Sequence, residues 1–230
     1  MMKRGHLFRI TALGLAIRCA TIANAQHGEP IASPAPDRRS HSAAKDASRT
    51  HPQVRPLRRV VAANRNGRSF ILSDDANVTN AFTVVPGFNP VPAFATAPGA
   101  DLTAENQVKL GKSLVPDPGG TTFFVVTFPP DSVITSPTID RKAAKAEYGK
   151  RLPGLADRFE VDHPGMHQTN TIDYDIVLDG EIWVQFDDGE AHLKQGDVVV
   201  QHGTRHAWRN RGNKPATLAL ILVGAKSSDK

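Results

Sequence analysis

The sequence predicts an all-β fold, a sandwich or a barrel. Short apolar runs recur at regular spacing from about residue 59 onward, and Gly, Pro, Asp or Asn separates most of them. One stretch, 140–151, is instead rich in helix-forming residues and is followed by Pro153-Gly154, so we expect one short helix in a long loop there. Many short strands with a single helix are typical of an all-β domain.

The first two predicted strands form a hairpin. The runs 59–61 and 69–72 flank the turn signal Asn64-Arg65-Asn66-Gly67, whose final Asn-Gly pair favours a tight β-turn. The later predicted strands cover 82–85, 121–128, 176–178, 181–186, 191–194, 197–201, 206–210 and 216–223.

The N-terminal residues 1–25 have the pattern of a signal peptide. Lys3, Arg4 and Arg9 precede a short apolar run, and Ala23-Asn24-Ala25 forms an A-x-A cleavage site. The run is too short to span a bilayer. We therefore expect a periplasmic or secreted protein. Because Arg18 interrupts the apolar region, the alternative is a misplaced start codon in front of a cytosolic protein.

Residues 26–58 are predicted to be a disordered linker, because this Pro-, Ala-, Ser- and Arg-rich stretch has neither helical nor strand periodicity. A single domain then covers residues 59–230. Cys19 is the one cysteine of the chain and lies in the predicted signal peptide. Cleavage would leave no disulfide, no cysteine-based zinc site and no thiol nucleophile.

The excess positive charge lies outside the predicted domain. The formal net charge is +5, but residues 1–25 hold four basic and no acidic residues, and residues 26–58 hold six basic and three acidic residues. The remaining domain therefore carries a formal charge of −2. A basic face for nucleic acid is not indicated.

Polar side chains recur at every second position of the segment 165–180, GMHQTNTIDYDIVLDG. His167, Thr169, Thr171 and Asp173 would share one face of an extended strand. That face is either the solvent side of a strand or the lining of a polar cavity, and this segment alone leaves both readings open.

A second segment, 196–210, adds GDVVVQHGTRHAWRN, in which a Gly-Asp turn opens an apolar strand and Gly203 allows a turn that presents His206. This segment resembles the second sequence motif of the cupin superfamily, G-x5-P-x-G-x2-H-x3-N. The motif matches Gly196, Gly203, His206 and Asn210. Gln201 stands where proline is usual, and one residue fewer separates the glycines.

The segment 165–180 resembles the first cupin motif, G-x5-H-x-H-x(3 or 4)-E-x6-G. The motif's two histidines fall on His167 and Thr169, its glutamate on Asp173 and its last glycine on Gly180. The resemblance implies one jelly-roll cupin barrel over the predicted domain, with both motif segments on adjacent, inward-facing strands.

The resemblance also implies a divalent metal on His167, Asp173 and His206. Two imidazoles and one carboxylate suit Fe(II), and Mn, Ni or Zn could use the same ligands, so the metal is undetermined. Thr169 is a poor ligand that would hydrogen-bond a metal-bound water or leave room for substrate, unless Thr169 and Asp173 only satisfy one another. His163, with the same parity as His167, is a loop histidine, a fourth ligand or a general base.

Two functions fit the resemblance. The first is a metal-dependent enzyme acting on a small organic molecule by oxygenase, decarboxylase, isomerase or lyase chemistry, with residues 131–162 as a lid. The second is a non-catalytic module that binds a small ligand or carbohydrate in a metal-free barrel. No catalytic residue can be named from the sequence, which has no nucleophile elbow, P-loop or dinucleotide fingerprint. The oligomeric state is open between monomer and homodimer.

Overall fold

The computed structural model describes residues 55–102 and 112–227. The predicted signal peptide and most of the predicted linker lie outside these residues. The first strand starts at Leu57 rather than at the predicted Arg59. The strands within the described ranges are β1 Leu57–Arg65, β2 Arg68–Val78, β3 Asn89–Thr96, β4 Thr121–Phe128, β5 Thr171–Asp179, β6 Glu181–Gln185, β7 Glu190–Lys194, β8 Val198–His202, β9 Ala207–Arg209 and β10 Ala216–Gly224.

Strands β1 and β2 form the predicted hairpin. They pair antiparallel, and the turn between them is Asn66-Gly67, with φ angles of 53° and 74°. Positive φ at both central residues defines the turn type that Asn-Gly favours, since its twist matches that of the two strands. The sequence signal for this hairpin is confirmed.

The other strands form the two sheets of a jelly-roll barrel. One sheet has the order β3-β4-β10-β5-β8, and the other has the order β7-β6-β9. The chain passes between the two sheets at the β5–β6, β7–β8, β8–β9 and β9–β10 connections. The all-β prediction is therefore confirmed.

Register decides which residues face the barrel interior. Asp173 of β5 lies opposite Leu222 of β10 on one side and Gln201 of β8 on the other. Directly paired residues share a face of a sheet. Asp173 and Gln201 are both buried. The prediction that the two motif segments lie on adjacent, inward-facing strands is confirmed.

Two apolar clusters stabilise this inner face. The first lies between the sheets and contains Val177, Ile182, Val184, Leu193, Ala216 and Leu218. The second joins β4 and β10 to the segment 82–88 and to helix residues, and contains Phe82, Val85, Phe88, Leu114, Phe124, Val126, Ala144, Leu152 and Leu222. Along β5 the buried positions change from the polar Thr171, Asp173 and Asp175 to the apolar Val177 of the first cluster. The region around these polar residues is called the polar end of the barrel below.

The connection between β4 and His167 holds more helix than predicted. In the described residues it contains α1 (Asp131–Ile134), α2 (Arg141–Arg151) and a 3-10 helix (Ala156–Arg158), where the sequence predicted one helix. The predicted helix is α2, and the Asp140 side chain caps it by accepting a hydrogen bond from the Ala143 N–H at 3.0 Å. Because α2 packs into the second apolar cluster, this part of the segment forms a wall of the domain, and the lid role of residues 131–162 stays a prediction.

One predicted strand is wrong. Residues 83–85 form bends that lead into a turn at 86–87, although the side chains of Phe82 and Val85 are buried. The strand is instead β3, NPVPAFAT, which carries two prolines. Proline lacks the N–H that a central strand needs, but β3 pairs only with β4 at the sheet edge, where proline is tolerated.

Gly180 closes the first motif for a backbone reason. Its φ is +77°, and a Cβ built there would lie 2.8 Å from the Pro215 carbonyl oxygen. Gly180→Ala is therefore expected to lower the free energy of unfolding by about 2 kcal/mol, measured by urea denaturation. Gly189→Ala is the matched control, because its Cβ would meet nothing within 4 Å. Equal stability of the two variants would contradict this explanation.

Candidate functional site

The two predicted histidines face each other at the polar end of the barrel. His167 and His206 form an isolated antiparallel bridge and exchange two backbone N–H···O bonds of 2.9 Å. Their ring centroids are 4.4 Å apart. Paired residues of this kind share a face, which explains why the two rings meet although 39 positions separate them in the chain. The proximity that shared ligation requires is present.

Hydrogen bonds fix the tautomer of both rings. His167 Nδ1 lies 3.1 Å from the Gly165 carbonyl oxygen, and His206 Nδ1 lies 3.0 Å from the Thr204 carbonyl oxygen. A carbonyl only accepts, so each neutral ring donates from Nδ1 and keeps the Nε2 lone pair. Both rings therefore have an unprotonated nitrogen available for a metal or a substrate donor.

Burial keeps the two imidazoles uncharged at neutral pH. Burial, together with charge repulsion from the neighbouring His167, lowers the pKa of His206 to about 4, against the opposing effect of its hydrogen bond to Thr204. Burial also lowers the pKa of His167, against the opposing effect of its hydrogen bond to Gly165. Neutral imidazole is the form that binds metal ions.

Asp173 points into the same polar end with one oxygen unpaired. Its side chain is buried on β5, and its Oδ1 has no hydrogen-bond partner among the described residues. Burial raises its pKa to about 6, and a hydrogen bond from Thr171 opposes this rise. An unpaired buried acceptor is costly, so this oxygen is a natural contact for a bound cation or donor.

Thr169 is also buried, but its partner is not Asp173. The Thr169 hydroxyl pairs with the Thr171 hydroxyl at 2.7 Å. The expectation that Thr169 and Asp173 merely satisfy one another is therefore not what the structure shows. Thr169 and Thr171 form a neutral polar surface where the family has its second histidine.

His163 is not part of this site. Its side chain is 63% exposed, and its Nδ1 lies 3.0 Å from Glu160. His163 is thus a surface loop residue in this structure. Its alternative roles as a fourth ligand or a general base at the histidine pair gain no support from this geometry and stay predictions. Parity with His167 was misleading because residues 163–165 turn instead of extending.

A complete three-ligand site is not assembled. Within residues 55–102 and 112–227, no group of three or more His, Cys, Asp or Glu side chains is arranged to hold a metal ion. His167 and His206 are brought together, whereas Asp173 is not grouped with them. The metal assignment to these three residues stays a prediction.

Aromatic and charged residues surround the histidine pair. The Phe159 ring centroid is 4.7 Å from that of His167, and the Trp208 ring centroid is 6.1 Å from that of His206. Beside them, Arg205 makes two hydrogen bonds of 2.6 and 2.7 Å to the Glu160 carboxylate and a third to Asp187. These contacts tie the segment before the first motif to the turn that presents His206.

Sequence reasoning assigned no role to three polar residues beside the site. Asp175 is buried on β5, and its Oδ2 accepts a 2.7 Å hydrogen bond from Gln201 Nε2. Thr204 Oγ1 in turn donates to Gln201 Oε1 at 2.7 Å. Burial raises the pKa of Asp175 to about 7, with the Gln201 hydrogen bond opposing and the charge of Asp173 adding to the rise. The available signals were the parity of Asp175 with Asp173 and the glutamine at a proline position of the motif.

Two clefts lie away from the histidine pair. One, of about 570 Å³, is lined by residues of the β1–β2 hairpin region and of the end of α2, including Arg59, Asn80 and Arg151. The other, of about 520 Å³, lies at the strand ends near Gly180 and Pro215. Neither cleft includes a predicted site residue.

The fold is a jelly-roll barrel in which two motif segments bring a pair of histidines together. Sequence comparison shows which domain family this region matches. Residues 160–223 match the profile described as Cupin domain. This range contains β5 to β10 except the last residue of β10, together with His167, Asp173 and His206. Residues 160–223 therefore form a cupin domain.

Curated fungal proteins share this region. Phomopsin biosynthesis cluster protein D of Diaporthe leptostromiformis is 59% identical over 82 residues, which cover 33% of this chain and 43% of that protein. Cupin-domain-containing oxidoreductase virC of Hypocrea virens is 37% identical over 65 residues, which cover 26% of this chain and 34% of that protein. The chain thus matches less than half the length of these relatives.

A solved structure is similar at a lower level. A Cupin 2 conserved barrel domain protein from Salinispora arenicola shares 9% identity, with 60% of this chain and 76% of that chain covered, at a TM-score of 0.31. This similarity is too low to carry an argument. Within the described residues, no helix is long and apolar enough to cross a membrane.

Proposed function

We propose that the protein is a cupin enzyme that acts on a small organic molecule at the polar end of its barrel, with a divalent metal on His167 and His206. Asp173 is the third donor of this proposal. The single observation that carries it is the pair of facing imidazoles whose Nδ1 atoms both donate to backbone carbonyls. This arrangement leaves two Nε2 lone pairs within one site, which is the donor chemistry that a divalent metal uses.

The three side chains are of the kinds that bind such a metal. Two neutral imidazoles and one carboxylate form the ligand type of many Fe(II) enzymes, and the buried Asp173 Oδ1 lacks a partner that a cation would supply. A bound metal would supply Lewis-acid or one-electron chemistry to the substrate. Phe159 and Trp208, which lie beside the histidine pair, would limit water there.

The relatives support an oxidative reaction. Three of the similar curated proteins are described as cupin-domain-containing oxidoreductases, and others belong to the phomopsin and oryzines biosynthesis clusters. Since these similarities cover only the cupin region, we extend to this chain the reaction class and not a substrate. The proposed substrate is an oxygen-bearing small organic molecule, and the proposed setting remains the exported one that residues 1–25 predict.

Metal analysis tests the proposal directly. Protein purified without chelators is expected to contain about one equivalent of iron, manganese, nickel or zinc per chain, measured by inductively coupled plasma mass spectrometry. Chelation should remove this metal while circular dichroism keeps the β spectrum, because the apolar clusters do not depend on it. A folded protein that purifies metal-free and takes up none of these four metals would refute the metal enzyme.

A second candidate function is a metal-free binding module. It is favoured by Thr169 at the position of a family histidine and by the lack of a three-ligand group in the described part of the chain. In this case small polyols or sugars would hydrogen-bond Asp173 and the threonine pair. Calorimetric binding of such ligands to chelator-treated protein, unchanged by added metal, would favour the module over the enzyme.

A further inference from the structure

Three hydrogen bonds run from the barrel wall to His206. Gln201 Nε2 donates to Asp175 Oδ2 at 2.7 Å, and Gln201 Oε1 accepts from Thr204 Oγ1 at 2.7 Å. The Thr204 carbonyl oxygen is the acceptor for His206 Nδ1, at 3.0 Å. A carboxylate on one strand is thereby connected to the imidazole that the proposed function uses.

The fold makes Gln201 the central link of this chain. Gln201 lies near the end of β8, its backbone pairs with Asp173, and its side chain is 2% exposed. The turn that follows is also held at Gly203, whose N–H donates to the Thr171 carbonyl at 2.8 Å and whose carbonyl accepts from Gln168 Nε2 at 2.6 Å. Since a buried amide side chain with both ends bonded has one orientation, Gln201 fixes the Thr204 hydroxyl and with it the peptide that carries the Thr204 carbonyl.

The direction of each bond has a chemical consequence for His206. The Thr204 carbonyl keeps the proton on Nδ1, so Nε2 is free. If that carbonyl moved, the ring could rotate or exchange its proton to Nε2, and the free nitrogen would point elsewhere. Residues that hold a ligating histidine in this way commonly change metal affinity by about 10- to 100-fold when they are removed.

We infer that Gln201 is a positioning residue, which sets the orientation and tautomer of His206 by linking Asp175 to the Thr204 turn. This inference rests on the proposed function for its consequence in metal binding, although the link to the His206 tautomer stands without any metal. The residue occupies the position where the second cupin motif usually has proline. A proline at this position would restrain the backbone through its ring. This chain instead restrains the following turn through the hydrogen bonds of the buried Gln201 side chain.

Two substitutions test this inference. Gln201→Leu keeps the volume but removes both bonds, and Thr204→Val removes only the hydroxyl. In isotope-labelled, chelator-treated protein at about pH 8.5, nuclear magnetic resonance of the histidine ring nitrogens is expected to show His206 as one Nδ1-protonated tautomer in the wild type. Both variants should show a mixture of tautomers, and zinc titration should give about 10- to 100-fold weaker binding than in the wild type.

Matched controls separate positioning from simple destabilisation. Thr204→Ser restores the hydroxyl and should return both the tautomer and the zinc affinity to wild-type values. Gln195→Ala removes an exposed glutamine from the Lys194–Gly196 turn and should change neither. Thr204→Val also keeps the inference testable if Gln201→Leu does not fold, because it leaves the buried amide in place.

The outcomes are distinct. An unchanged His206 tautomer in Thr204→Val and Gln201→Leu, with zinc affinity within twofold of wild type, would overturn the inference, even if both variants melt at lower temperature. If the wild type binds no zinc but the variants still change the tautomer, the positioning role holds and the proposed metal function fails. If the wild type binds zinc and the tautomer does not respond, the metal function holds and Gln201 is only structural.

Discussion

His206→Ala is expected to reduce the metal content of the purified protein to background. The reason is that His206 supplies one of two facing imidazoles and has no replacement, since His202 on the preceding strand is exposed on the outer side. With one imidazole removed, the remaining donors cannot complete a stable site for a divalent ion. The measurement is metal per chain by mass spectrometry, together with the zinc dissociation constant by competition with a chromogenic chelator.

Comparison of the three predicted ligands makes this test sharper. From the sequence, His167→Ala should be milder than His206→Ala because His163 could substitute, but His163 is exposed and paired with Glu160. We therefore expect His167→Ala and His206→Ala to lose metal equally. Asp173→Asn should lose less metal, because the amide oxygen of asparagine can still bind a metal ion. His202→Ala is the control for losing a histidine from the same region, and it should keep full metal content.

The results could contradict the assignment in two ways. Metal loss that is greatest for Asp173→Asn would show that the carboxylate anchors the site and that the histidine pair is secondary. Unchanged metal content in all three variants would place the metal elsewhere. All variants are expected to stay folded, since the cavity residues lie outside the two apolar clusters that pack the barrel.

Local pattern was enough to predict most of the barrel. Alternation of buried and exposed positions from Thr169 to Val177 follows the parity seen in the sequence, and Asn-Gly placed the first hairpin correctly. These signals are local because a strand must alternate and a two-residue turn needs positive φ. Strand β3 was not predicted from the sequence, because its two prolines argue against a strand. They are tolerated because β3 lies at the edge of the sheet.

The site was predicted only in part because its connections are not local. The motif spacing indicated His167 and His206, and the bridge between them confirms that they meet. The hydrogen bond from Gln201 to Asp175 joins residues of two strands that are 26 positions apart in the sequence, and no motif spacing predicts it. For His163 the spacing rule was applied where it does not hold. Residues at even spacing share a face only in an extended strand, and the chain turns between His163 and His167. Sequence gives the face of a strand but not the partner of a side chain.

Replacing Glu147, whose side chain is 9% exposed, is expected to produce a large loss of stability. Its Oε1 accepts from the Thr83 N–H at 2.8 Å and the Thr83 hydroxyl at 3.0 Å, and its Oε2 accepts from the Val84 N–H at 2.8 Å. Arg151 donates to the same carboxylate at 2.9 Å. One side chain thus holds helix α2 to the segment that buries Phe82.

Glu147→Ala should lower the free energy of unfolding by about 2–4 kcal/mol, because it leaves two backbone N–H groups without their acceptor and removes a charge-assisted bond. Glu190→Ala is the control, since its partner Arg211 lies on the surface and such pairs contribute about 1 kcal/mol or less. Both values come from urea denaturation at about pH 7. A loss for Glu147→Ala no greater than that for Glu190→Ala would show that water replaces these bonds at little cost.

The pH dependence of the Glu147→Gln variant gives a second, independent measure of the same contacts. Burial raises the pKa of Glu147, but hydrogen bonds from Thr83, Val84 and Arg151 outweigh it and hold the pKa below its usual value of 4.5. A lowered pKa in the folded state means that the ionised carboxylate stabilises the fold above about pH 4.5, and that this contribution is lost as the pH falls through the folded pKa. The stability difference between wild type and Glu147→Gln should therefore be constant from about pH 6 to 8 and shrink below about pH 4.5.

Taking the difference between the two proteins cancels the opposite effect of Asp173 and Asp175, whose raised pKa values make acid favourable to folding. A difference that stays the same down to about pH 3 would mean that Glu147 acts through its shape and not through its charge.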